Sequence, residues 1–563
     1  MAATTSRATL VALQQVAVRF ADGTSLFESL DLVIDGTPTS IVGRNGAGKS
    51  ILAQLIAGRH SPTTGAVVRH TTVAYVAQQP IDSPIDATDV AQVAGLAAPL
   101  AALSRLAAGS ANEADFDRIG ERWDLVERLQ EAFMAAGLGP LDPARPARTL
   151  SGGQRARVAL AGAFLSAAGL LVLDEPSNHL DRDGRAWLQR ELAAWRGGLV
   201  VVSHDRALLA DMRRIVEVTP SGLRTTGGNL ALHVAQREAE QAAARAALEH
   251  ARTERDRARR RLERAHDTIQ RHAAGTRRYA ETANLATAAK VGLKQAAVEA
   301  MGHVRRQQRE AKQALSARVG DAAARVEDTP PVLLSLPGSA PVAQRRLWTL
   351  ERARLPWLAV DDPAATVTWR AHGPVRIVLT GPNGCGKSTL LRLLAGTLAP
   401  VTGQCRTHVP VAYLDQALGL LDPERSVVDQ LGLLDTPLAE GELRSRLALL
   451  QLDAQRATRP SGLLSGGERL KAALACAAWR GTPAQLLLLD EPTNYLDLAS
   501  VRALEAALRG YTGALIVVSH DDAFVAALAP THAMRWSAQG WQYAPTADAI
   551  SAATDFAGSI HRG

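Results

Sequence analysis

The chain has 563 residues, which exceeds a single hydrophobic core and suits two domains of about 200 residues plus a connector. Hydrophobic residues make up 47% and charged residues 21%, and no apolar run of about 18 residues predicts a membrane span. The net charge is +7, and the three scattered cysteines argue against a disulfide framework, a structural zinc or an iron–sulfur cluster. The first residues also lack the build of a signal peptide, so we expect a cytoplasmic protein.

Residues 1–230 alternate short apolar runs with helical stretches, which is typical of an α/β domain. Three of the runs predict buried strands: Ile41-Val42, Leu170 to Leu173 before Asp174, and Leu199 to Val202 before Ser203-His204. Open α/β sheets bind ligands at the carboxyl ends of their strands. The polar residues that follow these runs are therefore candidate site residues.

Residues 231–330 have a different composition, rich in Ala, Arg, Glu and Gln, which favours helix. Apolar or Ala residues recur at a spacing of three and four, which predicts an antiparallel helical hairpin with its turn at Gly275 and the polar region Arg271 to Asn284. Positions 257–309 hold 13 Lys and Arg against 4 Asp and Glu, so the rest of the chain carries −2. This concentration of positive charge favours contact with a polyanion such as RNA. The candidate contacts are Arg271, Arg277, Arg278, Lys290 and Lys294, although a charged, merely solvated coiled coil is the alternative.

Residues 331–545 repeat the α/β pattern, with a short tail at 546–563. The predicted strands here are Ile377 to Leu379, Leu486 to Leu489 and Leu515 to Val518. Distances between polar landmarks recur: Lys49 to Gln78 and Lys387 to Gln416 are both 29 residues, and Asp174 to His204 and Asp490 to His520 are both 30. The chain therefore contains an internal repeat of two similar halves.

Each half contains the phosphate-loop pattern G-x4-G-K-S, whose backbone N–H groups cradle phosphates at a helix start. The repetition, with matching downstream carboxylates, predicts two ATP sites with bound Mg²⁺. The phosphate-binding candidates are Gly43, Asn45, Gly46, Gly48, Lys49, Ser50 and Ile51, and Gly381, Asn383, Gly384, Gly386, Lys387, Ser388 and Thr389. The predicted Mg²⁺ ligands are Ser50 with Asp174, and Ser388 with Asp490.

Acidic and imidazole side chains follow the same strands. Glu175 and Glu491 come directly after the metal aspartates and are candidates to accept a proton from, or orient, the attacking water. His204 and His520 are placed to contact the γ-phosphate, although an isolated histidine is more often structural. Gln78 and Gln416 are ATP-site candidates that could reach the metal or the attacking water, and only their equal offset from the lysines supports this interpretation.

The runs Leu150-Ser151-Gly152-Gly153-Gln154 and Leu464-Ser465-Gly466-Gly467-Glu468 resemble the signature sequence of ATP-binding cassette proteins. The resemblance implies two tandem P-loop α/β ATPase domains joined by an α-helical coiled-coil linker. It also implies that each ATP is sandwiched, with Ser465, Gly466 and Gly467 completing the first pocket and Ser151, Gly152 and Gly153 the second. One chain then acts as a monomer containing an internal pseudo-dimer.

The runs from Glu175 to Asp181 and from Glu491 to Asp497 resemble the E-P-T-N-H-L-D run of the ABC-F subfamily. That resemblance implies a ribosome-associated ATPase whose linker contacts rRNA and tRNA, as a translation factor or a ribosome-protecting resistance protein. The first half has 24 extra residues between Gln78 and Ser151, which predict a small arm or a longer helical subdomain. The alternatives are an ATP-binding subunit of a membrane transporter and, less well supported, a DNA-repair or chromosome-structuring ATPase.

Overall fold

The computed structural model describes residues 8–78, 88–219, 222–282, 306, 309–324, 344–359, 362–415, 419–433, 439–450, 452, 454–464, 466–479, 483–494 and 496–546. The chain forms two compact units. One comprises Met1–Leu230 together with Pro330–Gly563, and the other is Ala231–Thr329. Both halves of the repeat therefore lie in the same unit.

Short buried strands carry the first half of the repeat. They are β1 (Thr9–Arg19), β2 (Ser25–Asp35), β3 (Thr39–Gly43), β4 (Thr64–Arg69), β5 (Val73–Val76), β6 (Leu170–Asp174), β7 (Gly198–Val202), β8 (Arg214–Thr219) and β9 (Gly222–Gly227). A six-stranded sheet has the order β5-β6-β7-β3-β8-β9 and is parallel except for the β8–β9 pair. A separate antiparallel sheet has the order β2-β1-β4. The predicted strands at Ile41, Leu170 and Leu199 are confirmed as neighbours or near neighbours in the first sheet.

Helices cover both faces of this sheet, as the full burial of β6 and β7 requires. They are α1 (Lys49–Ala57), α2 (Val90–Val93), α3 (Ala97–Ala107), α4 (Glu113–Ile119), α5 (Leu125–Ala135), α6 (Gly152–Phe164), α7 (Arg182–Ala194) and α8 (Arg206–Ala210). The 24 extra residues fall among α2 to α5, so they extend a helical subdomain. One apolar cluster packs these helices against one face of the sheet, and another packs α1 and the antiparallel sheet against the other face.

The helix α9 (Leu230–Thr282) follows, and positions 309–324 are helical as well. Within this basic unit, Ala244 and Ala247 of α9 line one cavity with Arg318, Asp321 and Ala322, so the two helical segments are neighbours there. The turn predicted at Gly275 is wrong, because α9 continues past it to Thr282, and positions 283 and 284 of the predicted turn region lie outside the described residues. The helix formers that surround Gly275 outweigh its penalty of about 1 kcal/mol.

The second half repeats the first. Its strands are β10 (Arg346–Arg354), β11 (Thr366–His372), β12 (Arg376–Thr380), β13 (Gln404–Thr407), β14 (Val411–Leu414), β15 (Leu486–Asp490), β16 (Ala514–Val518), β17 (His532–Ser537) and β18 (Gly540–Pro545). Its helices are α10 (Lys387–Leu394), α11 (Val427–Gly432), α12 (Glu440–Leu449), α13 (Ala454–Ala457), α14 (Gly466–Ala478), α15 (Leu498–Arg509) and α16 (Asp522–Ala527). The sheet orders, β14-β15-β16-β12-β17-β18 and β11-β10-β13, match those of the first half. The predicted tandem α/β architecture is thereby confirmed.

Candidate nucleotide-binding sites

A glycine-rich loop joins β3 to α1, and its equivalent joins β12 to α10. Gly46 and Gly48 have φ of 79° and 93°, values that L side chains rarely adopt. A Cβ on Gly48 would also lie 2.7 Å from the Phe27 ring, so the position requires glycine. The Lys49 ammonium donates to the carbonyl oxygens of Gly43 and Arg44 at 2.9 and 3.1 Å. The loop is thus wound tightly around the lysine, with its N–H groups at a helix start.

The second loop repeats this geometry. Gly384 and Gly386 have φ of 83° and 97°. The Lys387 ammonium donates to the carbonyl oxygens of Gly381 and Pro382 at 2.8 and 2.9 Å. Ile51 and Thr389 both lie in the first turn of the helix that follows their loop. The two glycine-rich loops therefore have equivalent geometry.

Asp174, at the end of β6, is an acidic residue whose side chain lies beside Ser50 of the first loop. Burial raises its pKa, while hydrogen bonds from Ser50 and Tyr75 lower it. The Tyr75 hydroxyl donates to Oδ2 at 3.3 Å, and the buried Oδ1 has no hydrogen-bond partner. A buried carboxylate oxygen without a donor, beside a serine hydroxyl, fits a divalent cation. In the second half, Asp490 is likewise hydrogen-bonded by Ser388 and by Tyr413, whose hydroxyl donates at 3.1 Å.

In each half, a glutamate comes directly after this aspartate in the chain, and a histidine side chain lies against that glutamate. Nε2 of His204 lies 3.3 Å from Oε1 of Glu175, and the same distance separates His520 from Glu491. Burial raises the pKa of Glu175 to about 8 and that of Glu491 to about 7. Burial also lowers the pKa of both histidines to about 3. Each pocket therefore pairs a glutamate that binds a proton more tightly than an ordinary glutamate with a neutral imidazole.

Both glutamates have unusual backbone geometry, with φ of 49° at Glu175 and 48° at Glu491. A non-glycine residue in the left-handed region costs roughly 1–3 kcal/mol, and such strain concentrates at functional sites. The same strain at equivalent positions of two repeats indicates that it serves the site rather than the fold of one half.

The predicted signature runs lie at helix starts. Ser151 caps α6, and its hydroxyl accepts from the N–H of Gln154 in a capping box. A Cβ on Gly153 would lie 3.2 Å from Nδ2 of Asn383 in the second phosphate loop, so this turn faces the opposite half. Gly466 and Gly467 begin α14, whereas Ser465 lies outside the described residues. Gln78 is exposed just after β5, and Gln416 also lies outside the described residues.

Two aspartates that the motif analysis did not assign to the site reach across the interface between the halves. Oδ2 of Asp181 accepts from the N–H of Asn383 at 3.4 Å, and Oδ2 of Asp497 accepts from the N–H of Asn45 at 3.1 Å. Nδ2 of Asn383 also donates to the carbonyl oxygen of His179 at 3.0 Å. The available signal was the equal interval from each glutamate to its aspartate. The two phosphate loops thus face each other's halves.

Further contacts across this interface differ between its two ends. Near the first loop, Arg206 pairs with the largely buried Glu505 at 2.8 Å, and Leu498 packs against the core of the first half. Near the second loop, the exposed Arg182 pairs with Asp522 at 3.5 Å. Arg185 of the first half also lies near Glu491 of the second, where it is the largest charge opposing the effect of burial on the Glu491 pKa.

An exposed aromatic side chain follows the central strand of each three-stranded antiparallel sheet. Phe20 follows β1 and is 45% exposed, while Trp357 follows β10 and is 75% exposed. Leu355 and Leu358, on either side of Trp357, lie within 3.3 Å of the position that a Cβ on Gly386 would occupy. Trp357 therefore stands next to the second phosphate loop, in a stretch that the sequence left unassigned.

The RNA-contact candidates fall partly within the described chain. Arg271 and Arg278 are exposed on α9. Arg277 lies in the same helix, but its side chain, like Lys290 and Lys294, is outside the described residues. Across the part of the chain that the structure describes, no helix has the length and apolar character that a bilayer crossing demands.

Comparisons with known proteins agree with this architecture. The ABC transporter family profile matches residues 32–178 and 366–494, one segment in each half. The tylosin resistance ATP-binding protein TlrC of Streptomyces fradiae is 32% identical over 92% of this chain and 95% of that protein. The ATP-binding protein Uup of Escherichia coli is 30% identical over 92% and 78%, respectively.

A translation protein is also similar. The energy-dependent translational throttle protein EttA of Mycobacterium tuberculosis is 28% identical over 89% of this chain and 86% of that protein. Among solved structures, the archaeal ribosome recycling factor aABCE1 aligns over 94% of this chain and 89% of that chain, with a TM-score of 0.54 and 19% identity, which shows a shared fold. The repeated glycine-rich loops, the signature turns and these relatives together establish that the chain belongs to the ABC-F subfamily of ATP-binding cassette ATPases.

Proposed function

We propose that this ATPase binds two Mg-ATP between its halves, closes around them, and acts on the ribosome in the cytoplasm through its basic linker. One chain supplies both halves, so it works as a monomer. The observation that carries the proposal is the reciprocal contact of Asp181 with Asn383 and of Asp497 with Asn45. It brings each phosphate loop to the opposite half, where the signature turn is able to complete the pocket.

In each pocket, the loop N–H groups and the lysine hold the phosphates, and the signature turn caps the γ-phosphate from the opposite half. Lys49 and Lys387 supply positive charge. Trp357 offers its exposed face to the adenine of the second pocket, and Phe20 does the same in the first. Gln78 and Gln416 serve the attacking water from the end of the neighbouring strand.

Ser50 and Asp174, and likewise Ser388 and Asp490, are the residues that would hold Mg²⁺. The ion, when bound, neutralises charge on the β- and γ-phosphates. The orphaned Oδ1 of Asp174 supports this assignment. Tyr75 and Tyr413 fix their aspartates by donating to Oδ2, which leaves the other oxygen of each carboxylate for the ion.

Glu175 and Glu491 act as general bases. A carboxylate whose pKa is raised toward 7 or 8 accepts a proton from water more readily than an ordinary glutamate does, because its conjugate acid is weaker. His204 and His520 stay neutral and contact the γ-phosphate through a ring nitrogen, which orients it toward the attacking water. Such a base contributes about 10²–10⁴-fold to the rate.

The ribosome is the partner that best fits the linker. Its long helix α9 carries exposed arginines at 271 and 278, and guanidinium groups bind phosphate in a forked geometry. Two relatives bear names that refer to translation and to resistance against tylosin. We therefore place the linker against ribosomal RNA or tRNA, with its position set by nucleotide-driven closure of the two halves.

The proposal is tested by trapping the closed state. The double variant E175Q/E491Q, incubated with ATP and purified ribosomes, is expected to sediment with the ribosomes, because neither pocket releases its γ-phosphate. Adding R271A and R278A is expected to weaken that association and to reduce its dependence on salt.

The matched control is E28Q/E424Q, which changes two exposed glutamates that belong to neither loop. This control is expected to remain largely in the supernatant, like the wild-type protein after turnover. If the trapped double variant also stays in the supernatant, or sediments equally without ATP, the assignment to the ribosome is wrong.

A further inference from the structure

Arg185 ties together two segments of the first half that serve different pockets. Its Nη1 lies 3.1 Å from Oδ2 of Asp205, and its Nε donates to the carbonyl oxygen of Leu180 at 3.3 Å. The Arg185 and Asp205 side chains are only 17% and 10% exposed. A charge pair removed this far from water holds firmly, since separating it leaves two poorly solvated charges.

One end of this contact leads to the first pocket. Asp205 directly follows His204, whose Nε2 is 3.3 Å from Oε1 of Glu175. The backbone N–H of Asp205 also donates to the Ser203 hydroxyl at 3.0 Å, which ties together the residues on both sides of His204. Arg185 therefore contacts the residue next to the histidine of the first pocket.

The other end leads to the second pocket. Leu180 precedes Asp181, and Oδ2 of Asp181 accepts from the N–H of Asn383. The His179 carbonyl also accepts from Asn383 at 3.0 Å. A continuous path of contacts thus runs from Glu175 and His204, through Asp205 and Arg185, to the phosphate loop of the second half.

Among the described residues, the second half has no equivalent path of contacts from its histidine to the first phosphate loop. Asp497 reaches Asn45 as Asp181 reaches Asn383, but the residue four positions later is Val501, which is buried in the apolar core. Asp521, the counterpart of Asp205, caps α16 by accepting from the N–H of Phe524 at 2.9 Å. Among the described residues, no cation pairs with Asp521. The histidine of the second pocket therefore has no equivalent link to the first phosphate loop.

We propose that Arg185 is a positioning residue that couples nucleotide binding at the second phosphate loop to hydrolysis in the first pocket. This inference rests on the proposed function, because it requires ATP in both pockets. When ATP occupies the second phosphate loop, Asn383 holds the Leu180–Asp181 segment in place. Arg185 then holds Asp205, and with it His204, in position beside Glu175. Equilibrium coupling is reciprocal, so the same bridge strengthens retention of nucleotide at the second loop.

The test measures each pocket alone. In the E491Q background only the first pocket hydrolyses, and in E175Q only the second, so a single-turnover burst of ADP reports one pocket at a time. We expect D205N or R185Q to slow the E491Q burst by at least about five-fold, and the pair together to slow it no further than either alone. The same variants are expected to release labelled ATP from the second loop faster by a similar factor.

The variant D205N is informative because asparagine still caps α8 and leaves Arg185 itself unchanged. The matched control is D521N at the mirror position, expected to stay within about two-fold of its parent in either background. The burst in the E175Q background is expected to be equally insensitive to D205N. R185K, which keeps the charge, is expected to restore part of the lost rate.

Three results would overturn the coupling: D205N bursts like its E491Q parent, D521N slows hydrolysis as much as D205N, or the first pocket slows while ATP release from the second loop is unchanged. The last result would show that Asp205 acts only on His204. If the parents E491Q and E175Q give no burst at all, the proposed two-pocket ATPase fails instead, which keeps the two failures distinct.

Discussion

The two proposed nucleotide pockets share the residues at their loops and strand ends and differ in the residues that surround them. Both have a lysine in a glycine-rich loop, a strained glutamate 3.3 Å from a histidine, and an aspartate that arrives from the other half. Behind this shared set, the first pocket is bordered by the Arg206–Glu505 pair and Leu498, whereas the second is bordered by Arg185 and the exposed Arg182–Asp522 pair. The repeat has therefore kept its chemistry while its supports diverged.

The largest effect is expected when the glutamate base of one pocket is removed and that of the other is kept. We expect E175Q and E491Q each to lower steady-state ATP turnover by about 100-fold or more, because the uncleaved ATP in one pocket keeps the shared interface closed. The measurement is phosphate release under saturating ATP, compared with the single burst of ADP described above. If either variant retains half of the wild-type turnover, the pockets work independently and the shared interface does not gate release.

A second comparison sharpens the difference between the helical layers. Gly162 and Cys476 both lie eleven residues after the signature serine of their half. A Cβ on Gly162 would lie 1.9 Å from the carbonyl oxygen of Ala94, so G162A forces α6 away from α2. We expect G162A to destabilise the protein by about 1–3 kcal/mol.

The matched variant C476A shortens a buried side chain without adding volume to the core, and is expected to cost about 1 kcal/mol. Thermal unfolding of the two proteins beside the wild type provides the measurement. Equal midpoints for G162A and wild type would mean that the contact between α6 and α2 is loose, contrary to the geometry described above.

The smallest effects are expected at the ion pairs of the interface. R206Q leaves Glu505, whose side chain is only 9% exposed, without its cation. We expect it to raise the ATP concentration for half-maximal turnover about three- to ten-fold, because closure must then bury an unpaired charge. R182Q removes a pair exposed at 69% and 79%, and should change that concentration by less than about two-fold. A larger effect for R182Q than for R206Q would reverse the assigned order of the two ends.

Local patterns predicted much of this structure from the sequence. The phosphate loops, the strand-end carboxylates and the signature turns each rest on a few adjacent residues, so their positions were readable from spacing. The hairpin turn near Gly275 was misplaced because one glycine is a weak signal within a strong helix former background.

Contacts between distant residues were harder to predict. Asp181 and Asn383 are far apart in the chain. Nothing in the phosphate-loop pattern that contains Asn383 identifies Asp181 as its partner. The Arg185–Asp205 bridge had no signal in either repeat, because Val501 breaks the correspondence at that position. An internal repeat predicts the residues that the two halves share. A difference such as the Arg185–Asp205 bridge becomes visible only in the folded structure.

The left-handed backbone at Glu175 and Glu491 has a consequence for how this protein tolerates change. Glycine would relieve the torsional strain at either position, so a variant library screened for heat resistance alone should enrich glycine there while catalysis disappears. Selection for thermal stability and selection for ATP turnover therefore favour different residues at these two positions. Any attempt to engineer a sturdier version of this enzyme has to leave those two positions fixed.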